Sequence, residues 1–95
     1  MVTHVVIFTW RDGVASDVIE RLAAALQAMA HEVRHLADIR HGPDLRFRDG
    51  NGDYGLVATF ADHAAWLAYQ QHPAHKAFVR DHVTPIQAHR RTIQF

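Results

Sequence analysis

Ninety-five residues make one domain, residues 1–95, in which ten basic residues are set against ten acidic ones for a formal net charge of zero. That balance argues against a surface built for nucleic acid or an anionic membrane. Cysteine is absent, which excludes a disulfide framework, a thiol nucleophile and cysteine metal sites.

The longest apolar stretch near the start, Val5 to Phe8, is far short of the roughly 20 residues that span a bilayer, and no signal peptide is evident. The expectation is a cytoplasmic protein with no membrane or nucleic-acid partner. A chain of this length has a thin core and commonly gains burial by pairing with a second copy. Nine histidines are a high count, but several of them, including His31, His35 and His63, fall at expected surface positions.

Val2 to Trp10 is a β-branched and aromatic run that reads as a strand. One face carries Val2, His4, Val6, Phe8 and Trp10, the other Thr3, Val5, Ile7 and Thr9. Both faces are substantially apolar, so both need cover. Helices of the same chain can supply one cover and a partner's sheet the other. After the Arg11-Asp12-Gly13 turn, Ser16 or Asp17 can cap a helix in which Val18, Leu22, Leu26, Met29 and Val33 recur at steps of three or four. Arg34 and His35 near its end complement the helix dipole.

Leu36 to Arg48 reads as an extended segment interrupted at Gly42-Pro43, where proline argues for an edge strand or a bulge. Asp49-Gly50-Asn51-Gly52 is dense in turn residues, lacks a phosphate-loop pattern, and joins this segment to a strand over Tyr54–Phe60 as a hairpin. Asp62 caps a second helix carrying Trp66, Leu67 and Tyr69; both tryptophans, Trp10 and Trp66, are expected in the core or an interface.

The most informative stretch follows: Tyr69-Gln70-Gln71-His72-Pro73-Ala74-His75. Pro73 suits the first turn of a helix, where its missing N–H has no partner to lose. The helix before it therefore ends, a new one begins, and side chains from the two converge. From His75 the apolar positions Phe78, Val79, Val83 and Ile86 follow at steps of three or four, so His75 opens an inward stripe. The helix runs to about Val83, stops near Pro85, and leads to a last strand around Arg91–Phe95. Strand, helix, strand, strand, helix pair, strand predicts an α+β, ferredoxin-like fold: a four-stranded antiparallel sheet with helices on one face.

These residues resemble those of the stress-responsive α/β-barrel (Dabb) family of dimeric α/β barrels. The resemblance rests on His4 followed by Phe8, Trp10 and Asp12-Gly13, on Gly42-Pro43-Asp44-Leu45, and on Asp53-Tyr54 with Val57-Ala58-Thr59-Phe60. It continues through Tyr69-x-x-His72-Pro73-x-His75, Pro85, Arg90 and the closing Ile93-Gln94-Phe95, and so spans essentially the whole chain. It implies a homodimer whose two sheets pack face to face. In the branch that includes the plant olivetolic acid cyclase, which closes a polyketide ring by an intramolecular aldol step, the resemblance implies His75 as general base. Tyr69 and His4 then fall at its other polar site positions. Tyr54 or a neighbour stands where that branch has a histidine, and Ile86 where it has an aromatic.

The chemistry is sensible for a carbonyl substrate. A neutral imidazole removes a proton next to a carbonyl near neutral pH, and a phenol donates to the oxygen that develops charge. The catalytic candidates are thus His75 and Tyr69, with His4, Phe8, Tyr54, His72 and Ile86 as substrate-binding candidates. The ligand is expected to be a small, hydrophobic carbonyl compound. A metal reading would place His72 and His75 on one helix face with His4 as third nitrogen. Without a His-Glu-x-x-His pattern or cysteine it is the weaker one, and no metal or cofactor is expected. Two functions follow: a cofactor-independent cyclase or lyase, polyketide cyclase-like, or a non-catalytic stress-responsive dimer that binds a small hydrophobic ligand.

Overall fold

A computed structural model describes residues 1–95. The elements are β1 (Val2–Trp10), α1 (Ser16–Glu32), β2 (Ala37–Pro43), β3 (Tyr54–Phe60), α2 (His63–Gln71), α3 (Pro73–Phe78) and β4 (Gln87–Gln94). A π-helical turn over Val79–Val83 continues α3. The sheet runs β2-β3-β1-β4 with every neighbouring pair antiparallel. This is the ferredoxin-like arrangement that the element order implies.

Alternation along the two central strands decides which side meets the helices. His4, Val6 and Phe8 of β1 are buried together with Tyr54, Leu56, Ala58 and Phe60 of β3. The register sets Val6 beside Leu56 and Phe8 beside Tyr54. Leu22, Leu26, Met29 and Val33 of the α1 stripe, with Phe78 and Val83 further on, close over them. Each such side chain withdrawn from water contributes roughly 1.5–3 kcal/mol.

The opposite side of the sheet is open. Ile7 is 46%, Val57 40% and Ile93 59% exposed. With a shortest dimension of 18 Å, the chain has room for the sheet and one helical layer only.

Three local expectations need correction. Neither Ser16 nor Asp17 caps α1: Ala15 occupies the cap without a side-chain bond, and the Asp17 carboxylate turns to Arg21, 2.9 Å away. β2 ends at Pro43, so the hairpin to β3 is closed by a long loop rather than a short turn. Two carboxylates hold that loop. Asp44 accepts from the Arg46 N–H and the Asn51 amide, while Asp53 accepts from the Trp10 N–H at 2.7 Å and from Arg46. Gly52 passes so close over β1 that a Cβ there would collide with the Ile7 side chain and crowd the Phe8 carbonyl. Lastly, β4 starts at Gln87, well before Arg91. Gln87–Arg90 has no apolar alternation to announce a strand; pairing with β1, Trp10 to Gln87 and Phe8 to Arg90, orders it as an edge.

Candidate functional site

The break between α2 and α3 follows from His72-Pro73. Proline disfavours helical backbone in the residue before it, and His72 is extended at φ −65°, ψ 133°. Its Nδ1 accepts from the Ala74 N–H at 3.0 Å, making His72 the cap of α3. Pro73 occupies the first turn. Tyr69 therefore lies in the last turn of α2 and His75 in the first turn of α3, and their ring centroids come within 4.3 Å at a tilt of 47°.

The two rings form part of the wall of a cavity of about 180 Å³ between the helix break and the helix-facing side of β1 and β4. A cavity of ~150 Å³ accepts benzene, so this one holds about one six-membered ring. His4, Val6, Phe8 and Leu56 line its floor, Trp66, Tyr69, Gln70, His75, Phe78 and Val79 its roof, and Arg90, Thr92 and Gln94 of edge strand β4 its side. Two residues that line it, His75 and Trp66, each carry a buried polar atom, Nδ1 and Nε1, without a hydrogen-bond partner. Buried polar atoms are nearly always paired, so two orphans in residues around one hollow set this region apart from the rest of the core.

The surroundings favour the neutral imidazole at His75 and His4. Burial pushes His75 below the ordinary imidazole value; the Gln70 carbonyl opposes this, and the charges of His4, Arg90 and His72 add to the lowering. His4 is lowered by burial and then by Arg90. Burial drives the Tyr69 phenol well up, keeping it a protonated donor. The Gln94 amide nitrogen lies 2.8 Å from His4 Nδ1 and donates to it when the ring proton is on Nε2. No group of three or more His, Asp or Glu side chains is arranged to hold a metal ion.

The structure thus gathers His75, Tyr69, His4 and Phe8 around one cavity and leaves three other candidates outside it. His72 is turned away by its capping role, with its ring edge-on to His35 at 6.2 Å. Tyr54 is buried beyond Phe8 and bonds His41 Nδ1 at 2.8 Å. Ile86 packs at the entrance to β4, where its carbonyl accepts from the Arg11 N–H.

Sequence reasoning missed Trp66 and Arg90. Trp66 could have been found, because it lies three residues before Tyr69 and so shares its helix face. Arg90 could not, because its place beside Phe8 depends on the β1–β4 register.

Comparison with known proteins agrees with this architecture. No curated protein matches the chain significantly. Among solved structures, a dimeric ferredoxin-like protein of unknown function from Thermobifida fusca superposes with a TM-score of 0.91 at 32% identity, covering 99% of this chain and 88% of that one. A Dabb family protein from Mesorhizobium loti gives 0.82 at 26%, covering 99% and 93%. The hydroxynitrile lyase from Passiflora edulis gives 0.84 at 16%, covering 99% and 90%, a likeness of fold alone. The stress responsive A/B barrel domain, Dabb, matches residues 2–95, and the chain belongs to that family.

Proposed function

We propose that the chain is a cofactor-independent lyase or cyclase for a carbonyl compound of about one ring, with His75 as general base and Tyr69 as hydrogen-bond donor. The observation that carries this reading is that His75 and Trp66, which line a ring-sized cavity, each hold a buried polar atom without a partner, Nδ1 and Nε1. The neutral imidazole takes a proton from the carbon next to the carbonyl, and the electron pair of that C–H bond moves onto the carbonyl oxygen. The Tyr69 hydroxyl and the Trp66 indole N–H donate to the enolate oxygen. The enolate carbon then attacks a second carbonyl of the same molecule, and the imidazolium returns its proton to the new alkoxide. A closed six-membered product is the size of the cavity.

Deuterium exchange tests the first step directly. In D₂O the wild type should accelerate loss of the methyl proton signal of acetophenone, and His75→Ala should return it to the buffer rate with circular dichroism unchanged. Exchange at the buffer rate in the wild type rejects the general-base reading.

One observation favours the non-catalytic alternative. Tyr69 is only 2% exposed and its ring packs on Phe60 with centroids 5.2 Å apart, as a core tyrosine does. If His75→Ala chiefly lowers the melting temperature and no exchange is seen, the protein is better read as a ligand-binding dimer.

The assembly we infer is a homodimer through the open side of the sheet. Val57, Val5 and Ile93 form a continuous row across β3, β1 and β4, with Ile7 beside it. The Thermobifida fusca relative is itself described as dimeric. Light scattering should give twice the 10.8 kDa chain mass, and Ile7→Asp should reduce it to one; a wild-type monomer rejects the interface.

A further inference from the structure

The cavity does not end at His75. A second hollow of about 430 Å³ shares Gln70, His75, Val79 and Arg90 with it and adds Lys76, Arg80 and Thr84. The two therefore adjoin, with Arg90 lining both and Lys76 and Arg80 only the outer one. Three of the seven residues around the outer hollow are cations and none is acidic, in a chain whose formal charge is zero.

The three cations differ. Arg80 is engaged by its neighbour Asp81, at 2.8 and 3.1 Å. Lys76 and Arg90 belong to no ion pair. Arg90 is the more telling, since it sits on edge strand β4 opposite Phe8 and so on the helix-facing side of the sheet. That side is otherwise where the chain places its core. Helices cover β1 and β3, while β4 stays exposed along most of its length, so the guanidinium stands at the entrance with no carboxylate to meet it. Its charge reaches both cavity imidazoles.

We propose that the ligand of this site is a carboxylate-bearing carbonyl compound, its ring or short chain among Phe8, Leu56 and Phe78 and its carboxylate on Arg90 with Lys76 beside it. This rests on the cavity assigned above and adds the charge of the molecule that fills it. Arginine's planar fork suits a carboxylate, which it can take through two parallel N–H···O bonds. Anchoring the anion at the mouth would leave the carbonyl deeper, towards the Trp66 N–H and His75.

Three probes decide it by isothermal titration on the intact protein at low salt: benzoylformate, its neutral analogue 2-oxo-2-phenylacetamide, and phenyl phosphate. Benzoylformate should bind about tenfold more tightly than the amide, with the preference shrinking as salt screens the charge. Arg90→Gln should bring the carboxylate down to the affinity of the amide, and Arg90→Lys should keep part of the preference. Circular dichroism serves as the folding control for both. Equal binding of carboxylate and amide by the wild type overturns the inference and leaves the cavity reading standing, as does a preference that survives Arg90→Gln. Tighter binding of phenyl phosphate than of benzoylformate overturns the carboxylate in favour of a phosphate ester. Failure of all three probes to bind rejects the cavity as a ligand site and the inference with it.

Discussion

Two histidine–tyrosine pairs sit on the helix-facing side of this sheet, and they behave differently. Tyr54 and Tyr69 are each 2% exposed, and burial lowers both His41 and His75. At the β2–β3 end, His41 Nδ1 meets the Tyr54 hydroxyl at 2.8 Å and Nε2 meets the Gln27 carbonyl oxygen at 3.0 Å. Gln27 as acceptor puts the ring proton on Nε2, so the Tyr54 hydroxyl donates to Nδ1. Every polar atom of that ring is used.

At the helix break, the His75 and Tyr69 ring centroids are closer, 4.3 Å against 6.0 Å, yet His75 Nδ1 has no partner, and neither has the indole N–H of Trp66, which lines the same cavity. Residue type does not separate the two pairs. Hydrogen-bond satisfaction does: a saturated pair braces the fold, and the unsaturated one is the pair we propose for a ligand.

The largest expected effect is on chemistry. His75→Ala should cut turnover of a carbonyl substrate by about 10²–10⁴-fold, the usual contribution of a positioned base, while His41→Ala leaves the rate within a factor of a few. Steady-state kinetics on the two variants side by side make the test, and equal losses would erase the distinction between the pairs.

Stability should show the converse. Tyr54→Phe takes the donor from the half-buried His41 Nδ1 and should cost about 1 kcal/mol, measured by urea unfolding. Tyr69→Phe breaks no hydrogen bond to His75 and keeps the ring against Phe60, so its stability should move by less, with a rate loss smaller than that of His75→Ala. A larger stability loss at Tyr69 than at Tyr54 would reverse the assignment.

Acid should act on both pairs in the same direction. The folded-state values of His41 and His75 lie below the ordinary 6.5, so the unfolded chain takes up protons first as pH falls. Their contribution is fully present above about pH 6.5 and is lost on descending through the lowered values, and the melting temperature should drop along that path. Activity should fall over the lowered His75 range alone, because imidazolium cannot accept the proton. Activity that does not fall as the His75 imidazole takes up its proton, followed by NMR over the same pH range, would remove His75 as base. The smallest effect expected is at the cap: Asp62→Ala frees the Ala65 N–H, held at 2.9 Å, and should cost about 0.5–2 kcal/mol without touching turnover.

Much of this architecture is legible in the chain because it is local. The 3.6-residue period from Leu22 to Val33 selects the buried stripe of α1, the alternation through β1 sets His4, Val6 and Phe8 on one side, and Pro73 forces the break that brings Tyr69 and His75 together. These are steric and hydrophobic constraints acting over a few residues. The rest depends on which strand lies beside which. Register alone places Arg90 opposite Phe8, makes Gln94 the partner of His4 and orders the polar start of β4. Packing between elements decides that His72 spends its nitrogen on a cap, that Tyr54 turns to His41, and that Trp66 keeps an unpaired N–H. A hydrogen bond between residues 13 or 90 positions apart leaves no periodic trace in the sequence; the folded sheet determines it, and with it the difference between a brace and a site.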